Sequence, residues 1–244
     1  MSTEIHPEGA EPAPAGNGSK TRRGWALLGQ IAVGAVVIWA ALSGLGRLLV
    51  AYWVPSRFGR ADSVVVEFLA DHRIPAGNTI SLGAVLLADT LTVAVVAAVS
   101  VVGLLVILRR WEEPLFLATV VIGEVLIFTA TTAVVERERP PVVHLDAAPP
   151  TSDFPSGHTA AAICLYGALA VLAGVLIKRR VYRRAAWVIA IAIPVLVAAG
   201  RLYRGMHFPT DVLASALLGG LWLAWMTRIY PLGKGVARAA TTRA

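Results

Sequence analysis

An all-α integral membrane bundle of about six transmembrane helices is the fold this sequence predicts, and three observations carry it. Of the 244 residues, 57% are hydrophobic and only 15% charged, where an ordinary soluble domain carries roughly 25% charged residues. A mean hydropathy of +0.69 leaves more apolar side chains than one aqueous core can hold. Those side chains fall in runs long enough to cross a bilayer, for which about 20 residues suffice.

The elements follow in chain order. Residues 1–24 are rich in Pro, Gly, Glu and Ser without an apolar period, so they cannot bury enough surface to offset ordering entropy and are expected to form a disordered tail. Lys20, Arg22 and Arg23 then precede an apolar run from Trp25 to Leu45. Its length favours a membrane anchor over a cleavable signal peptide, whose apolar region is shorter. The connection from Val54 to Asp89 is long, and its stretch over 63–70 predicts a short interfacial helix with Val64, Val65, Phe68 and Leu69 as the apolar face. Five more spans are expected at Thr90–Leu108, Leu115–Val135, Thr159–Ile177, Ala185–Gly200 and Val212–Tyr230. Pro194 predicts a kink in the fifth span, and Trp25, Trp53, Trp111 and Trp187 sit near span ends, as an interfacial belt places them. The organisation is thus a tail over 1–24, a membrane domain over 25–230 and a basic tail over 231–244.

Charge supplies the orientation. Fourteen of the 22 Lys and Arg fall on the side holding both termini, Arg109, Arg110 and the cluster from Lys178 to Arg184. The positive-inside bias makes that side cytoplasmic in a cell membrane. The net charge of +7 is therefore a topology signal, and no contiguous basic face with interleaved aromatics predicts nucleic-acid binding. The single cysteine, Cys164, excludes an intramolecular disulfide or a thiolate cluster.

The polar chemistry converges on two loops at the opposite, extracytoplasmic side. One runs Glu136 to His158 and ends in Phe154-Pro155-Ser156-Gly157-His158, with Ser156 in N-cap position before the fourth span. A helix start there offers unpaired N–H groups and the positive dipole end to an anion such as phosphate, and Gly157 permits close approach. The other runs Gly200 to Asp211 and carries Arg201 and His207. Asp211 lies four residues after His207, placed to fix the imidazole tautomer and leave the other nitrogen free to attack. Two histidines, arginines suited to bidentate phosphate contact and no carboxylate cluster or zinc spacing predict phosphoryl transfer with no metal and no cofactor.

At these residues the sequence resembles the type 2 phosphatidic acid phosphatase superfamily, which includes membrane lipid phosphatases and vanadium haloperoxidases. Arg139-Pro140 matches the end of its first block, Pro155-Ser156-Gly157-His158 its second, and Arg201, His207 and Asp211 its third; the resemblance covers about 115–230. It implies a phosphohistidine on the nucleophile His207, Asp211 as its partner, His158 as general acid, and phosphate binding by Arg139, Arg201, Ser156 and Gly157. It further implies a lipid phosphate substrate, with polyprenyl diphosphate of the undecaprenyl type ranked ahead of phosphatidic acid.

Two positions depart from the pattern: Thr132 stands where the family has lysine, and Gly200 where it has serine. Arg137 is the residue expected to supply the missing phosphate cation, with Glu136 and Glu138 beside it. A degenerate lipid-binding protein and a lipid phosphotransferase are the rival expectations. Asp146 and Asp153 read as ordinary loop carboxylates, and His72 and His144 as surface residues. Glu124, near the middle of the third span, has no partner in the sequence and is expected to face the bundle interior.

Overall fold

A computed structural model describes residues 17–148 and 150–233; the first sixteen residues of the expected N-terminal tail and the stretch 234–244 of the C-terminal one lie outside it. Among the described residues there are helices and no strands. The helices are α1 (Asn17–Leu48, continued by a π turn, Leu49–Trp53), α2 (Arg57–Asp71), α3 (Pro75–Leu86), α4 (Thr90–Leu108), α5 (Glu112–Thr132), α6 (Gly157–Leu176), α7 (Arg180–Tyr203) and α8 (Pro209–Ile229). Six of them, with α1 taken over Thr21–Trp53, are long and apolar enough to cross a membrane.

Local chemistry sets the boundaries. Ser56 caps α2 by accepting a hydrogen bond from the Phe58 N–H at 3.1 Å, and Asp89 caps α4 through the Leu91 N–H at 3.2 Å. Pro75 and Pro209 occupy first-turn positions where a missing N–H costs nothing. Arg109, with φ of 52°, ends α4 in the left-handed conformation. α7 runs on through Pro194.

Two features differ from the sequence expectation. α1 begins at Asn17, inside the stretch expected to be a disordered tail. The connection over 54–89 holds two helices, not one. In α2, Val64, Val65 and Phe68 stand exposed as the interfacial reading requires, while Gly59, Asp62 and Val66 are buried against the bundle. α3 packs on α7 and is tied to it where the Tyr203 hydroxyl accepts from the Ile74 N–H at 2.9 Å.

Burial is graded across the bundle. On α4 the side chains of Leu91, Val95, Val99, Val102 and Val106 are exposed, at the spacing of a face turned to lipid. α6 is the central helix, packed against α5, α7 and α8, and around it Phe116, Leu117, Leu165, Leu218 and Trp222 are fully buried. The Trp222 ring lies against Gly123, where no side chain fits, and donates its indole N–H to the Val120 carbonyl at 2.9 Å. Such small-residue contacts hold helices together in a membrane interior, where lipid is as apolar as the core. The consequence for function is that the first turn of α6 is held rigidly at one end of the bundle.

Candidate active site

The α5–α6 and α7–α8 connections meet at that end. Leu145 N–H donates to the Arg204 carbonyl at 3.1 Å, Asp153 N–H to the Arg137 carbonyl at 3.0 Å, and Ser156 N–H to the Asp211 carbonyl at 3.4 Å. Gly205, at φ of 74°, turns the chain from α7 into the residues leading to His207. Any Cβ there would be strained by that φ and would meet Val142 and Arg73. The Phe154–Pro155 peptide is cis.

His207 is buried, and its Nδ1 lies 2.7 Å from Asp153 Oδ1 and 3.0 Å from the Asp153 carbonyl oxygen. Both partners are acceptors, so Nδ1 carries the proton and donates, leaving Nε2 unprotonated. Burial, reinforced by the Arg201 charge, pushes the His207 imidazole down to about 3, so the ring is neutral at physiological pH. Burial pushes the Asp153 carboxyl up to about 6, against a hydrogen bond with Asp211 and the charges of Arg139, Arg137 and Arg201. At neutral pH the pair is thus a neutral imidazole on a carboxylate.

Asp211 is therefore not the residue seated on the His207 ring. Its Oδ2 accepts from the Phe208 N–H at 2.8 Å at the start of α8, and its Oδ1 is ion-paired with Arg137. Arg137, expected to replace the missing lysine, turns away from phosphate duty. Its guanidinium donates to Thr210 Oγ1 at 2.7 Å and to Asp62 Oδ2 at 2.8 Å, and it stacks 4.4 Å from the Phe208 ring centroid. Held between two carboxylates and outside the lining of the cavity that holds both histidines, this guanidinium is engaged with the fold. Glu136 and Glu138 are exposed.

Arg139 and Arg201 are placed differently. Arg139 donates to Asp153 Oδ1 at 3.0 Å and to the Met206 carbonyl at 2.9 Å. Arg201 donates to Asp146 Oδ2 at 3.0 Å; the buried Nε atoms of both, like that of Arg137, have no partner among the described residues, but of the three only Arg139 and Arg201 line that cavity. Asp146 also holds Arg204, whose guanidinium reaches Asn78 and Ser81 on α3. Burial would raise the Asp146 carboxyl, but the Arg204 hydrogen bond and the charges of Arg204, Arg201 and His158 hold it below its ordinary value.

His158, His207, Arg139, Arg201 and Gly157 all line one cavity of about 830 Å³. From this polar end the cavity extends between α3, α4, α5 and α6 along Val85, Val93, Val121 and Val125 to Glu124. A cationic end joined to an apolar trench inside the bundle suits an amphiphile. Three predicted residues lie outside its lining: Arg137 and Asp211, as described, and Ser156. Ser156 is fully buried at the start of α6 with Oγ 3.1 Å from Thr159 Oγ1. The absent side chain at Gly157 has a packing reason, since a Cβ there would lie 2.8 Å from the Phe128 ring. His72 and His144 bond locally to the Phe68 and Pro140 carbonyls, away from the cavity.

Sequence reasoning missed Asp153, Asp146 and Asp62. Asp153 carried a legible signal in its position three residues before Ser156; Asp62 carried none, because only tertiary packing brings α2 to Arg137. Asp153, His207 and Asp211 have ligand atoms within 4.8 Å of one another, close enough for a metal. Their carboxylates, however, are already neutralised by Arg139 and Arg137, which removes the charge a cation would need.

The profile of the PAP2 superfamily matches residues 113–233. The chain belongs to this superfamily. Phosphatidylglycerophosphatase B of Bacillus subtilis strain 168 is 39% identical over 92 residues, 35% of this chain and 42% of that protein. Undecaprenyl-diphosphatase of Sulfolobus acidocaldarius is 31% identical over 117 residues, 46% of this chain and 50% of that protein. The chain thus spans about half the length of the curated relatives it matches. A crystal structure described as the first transmembrane PAP2-type phosphatidylglycerolphosphate phosphatase, from Bacillus subtilis, superposes with a TM-score of 0.68 at 24% identity, over 80% of this chain and 94% of that one. With six apolar helices and this transmembrane fold, the chain is a multi-pass membrane protein.

Proposed function

We propose that the protein is a metal-independent membrane lipid phosphatase that works through a phosphohistidine. The observation that carries this reading is one cavity lined by both histidines and both cavity-facing arginines, continued by an apolar trench. His207 Nε2 attacks phosphorus while Asp153 holds the Nδ1 proton and bears the imidazolium that forms; Asp211 supports this pair from behind and secures the start of α8. His158 protonates the departing oxygen and then takes a proton from the water that cleaves the phosphohistidine. Arg139, Arg201 and the first-turn N–H groups of α6 at Gly157 balance the charge on the equatorial oxygens.

The catalytic unit is the membrane domain over 25–230, with the motifs within 115–230 and tails on either side. The loop charges favour cytoplasmic termini and an extracytoplasmic site in the cell membrane. That face suits polyprenyl diphosphate released on the outer leaflet, and phosphatidic acid meets the same chemical requirements. The test is phosphate release by purified protein in excess chelator, from polyprenyl diphosphate and from phosphatidic acid in mixed micelles. Chelator-resistant release from either lipid is expected. A protein that binds both lipids and releases no phosphate would be the degenerate lipid binder, and transfer of phosphate to an alcohol without free phosphate would make it a phosphotransferase.

A further inference from the structure

Glu124 is a buried ionisable group that this mechanism leaves unused. It sits in the middle of α5, is 2% exposed, and has an Oε1 without a hydrogen-bond partner among the described residues. It also lines the catalytic cavity, so the unpartnered atom belongs to a side chain on the path a substrate tail would take. Its neighbours along that path, Val121 and Val125, are apolar. A buried polar atom left unpaired is unfavourable, and a ligand group at that depth would satisfy it.

The depth itself selects the ligand. Phe128 packs against Gly157, beside His158 at the phosphate end. Glu124 lies four residues earlier on the same helix, roughly 6 Å further into the bundle at a rise of ~1.5 Å per residue. In a diacylglycerol phosphate, a handful of single bonds separate phosphorus from the acyl ester carbonyl, which gives a comparable reach. In a polyprenyl diphosphate the same distance holds the second phosphate and then hydrocarbon, with no ester carbonyl.

Resting on the phosphatase reading above, we propose that Glu124 is a specificity-determining residue that recognises an acyl ester of a glycerolipid phosphate substrate. In its protonated form the carboxyl has one O–H to donate, and the ester carbonyl accepts it when the phosphate is seated between Arg139 and Arg201. The substrate class is thereby a diacyl glycerolipid phosphate, favoured over a polyprenyl one.

The experiment compares hydrolysis of diester phosphatidic acid with its dialkyl ether analogue, which has the same headgroup and tail length and no carbonyls, and with polyprenyl diphosphate. Wild type, Glu124→Gln and Glu124→Leu are measured in the same micelles. Wild type is expected to show a KM about tenfold lower for the ester than for the ether at similar kcat, the scale of one hydrogen bond. Glu124→Gln, which keeps a donor, retains most of that preference; Glu124→Leu loses it by raising KM for the ester alone. Equal KM for ester and ether in wild type, or a preference that survives in Glu124→Leu, overturns the assignment while leaving the phosphatase reading intact. Release of no phosphate by wild type from all three lipids overturns both.

Discussion

Arg137 and Arg201 stand at the same end of the bundle, each buried and each paired with aspartate, yet only Arg201 lines the cavity that holds both histidines. Arg201 meets one carboxylate, Asp146, and presents the rest of its guanidinium to the cavity. Arg137 is held between Asp62 and Asp211 with Phe208 over its face, and joins α2, the α5–α6 connection and α8 into one brace behind the site. Residue type does not separate them; the number of partners and the access to the cavity do. An arginine with a spare edge on a concave surface is available to a ligand, while one held between two carboxylates braces the backbone around it.

The sharpest way to break this division is to remove the group on which the cavity side depends. His207→Ala should lower phosphate release by at least ~10³-fold, as loss of a nucleophile does, while the purified variant keeps the helicity and elution of wild type. Next come the two arginines, exchanged for methionine of similar length. Arg201→Met is expected to cost ~10² in kcat/KM, the scale of one lost transition-state donor, with little change in thermal midpoint. Arg137→Met should do the reverse: it strands two buried carboxylates, lowering stability by roughly 3–5 kcal/mol as read by denaturation in micelles, with KM of the folded fraction nearly unchanged. Comparable activity loss in both variants would dissolve the distinction.

The Asp153–His207 pair gives a pH prediction. The Asp153 carboxyl, pushed up to about 6, is a carboxylate above that pH and takes a proton below it, so support for His207 fades as pH falls through 6. The His207 imidazole, pushed down to about 3, contributes no limb in that range. Because the substrate phosphate also titrates near 6, the informative quantity is the ratio of wild type to Asp153→Asn. That ratio should be near one below about pH 5 and roughly tenfold above about pH 7. A ratio flat across this range would remove Asp153 from its role. The smallest effect is expected from Thr132→Lys. Thr132 donates to the Thr129 carbonyl and lines an adjoining depression with Glu136, Arg137, Glu138 and Arg139, where the two glutamates offset an added cation, so restoring the family lysine should change kcat/KM by less than about threefold.

The spans were readable in the sequence because a bilayer demands long apolar runs, and Thr90–Leu108 is found with the boundaries expected of it. So was the gathering of His158, His207, Arg139 and Arg201, since the antiparallel spans carry both loops to one side. What the sequence hid is the partnership among charges. Asp211 has the spacing to serve His207, but Asp153 occupies the ring nitrogen because its segment runs back alongside Arg137 through a backbone hydrogen bond. Asp62 reaches Arg137 only because α2 folds its polar side inward, and periodicity alone does not say which loop lies opposite.

His207 is the group proposed to receive phosphate from a lipid. Rapid quenching of the enzyme with phosphatidic acid in excess chelator, followed by peptide mass spectrometry under alkaline conditions that preserve phosphohistidine, tests this most directly. With His207 as the nucleophile, a phosphoryl group is expected on the peptide containing His207, formed as fast as phosphate is released. Steady turnover with no phosphoryl group on that peptide, or one on His158 instead, would contradict it.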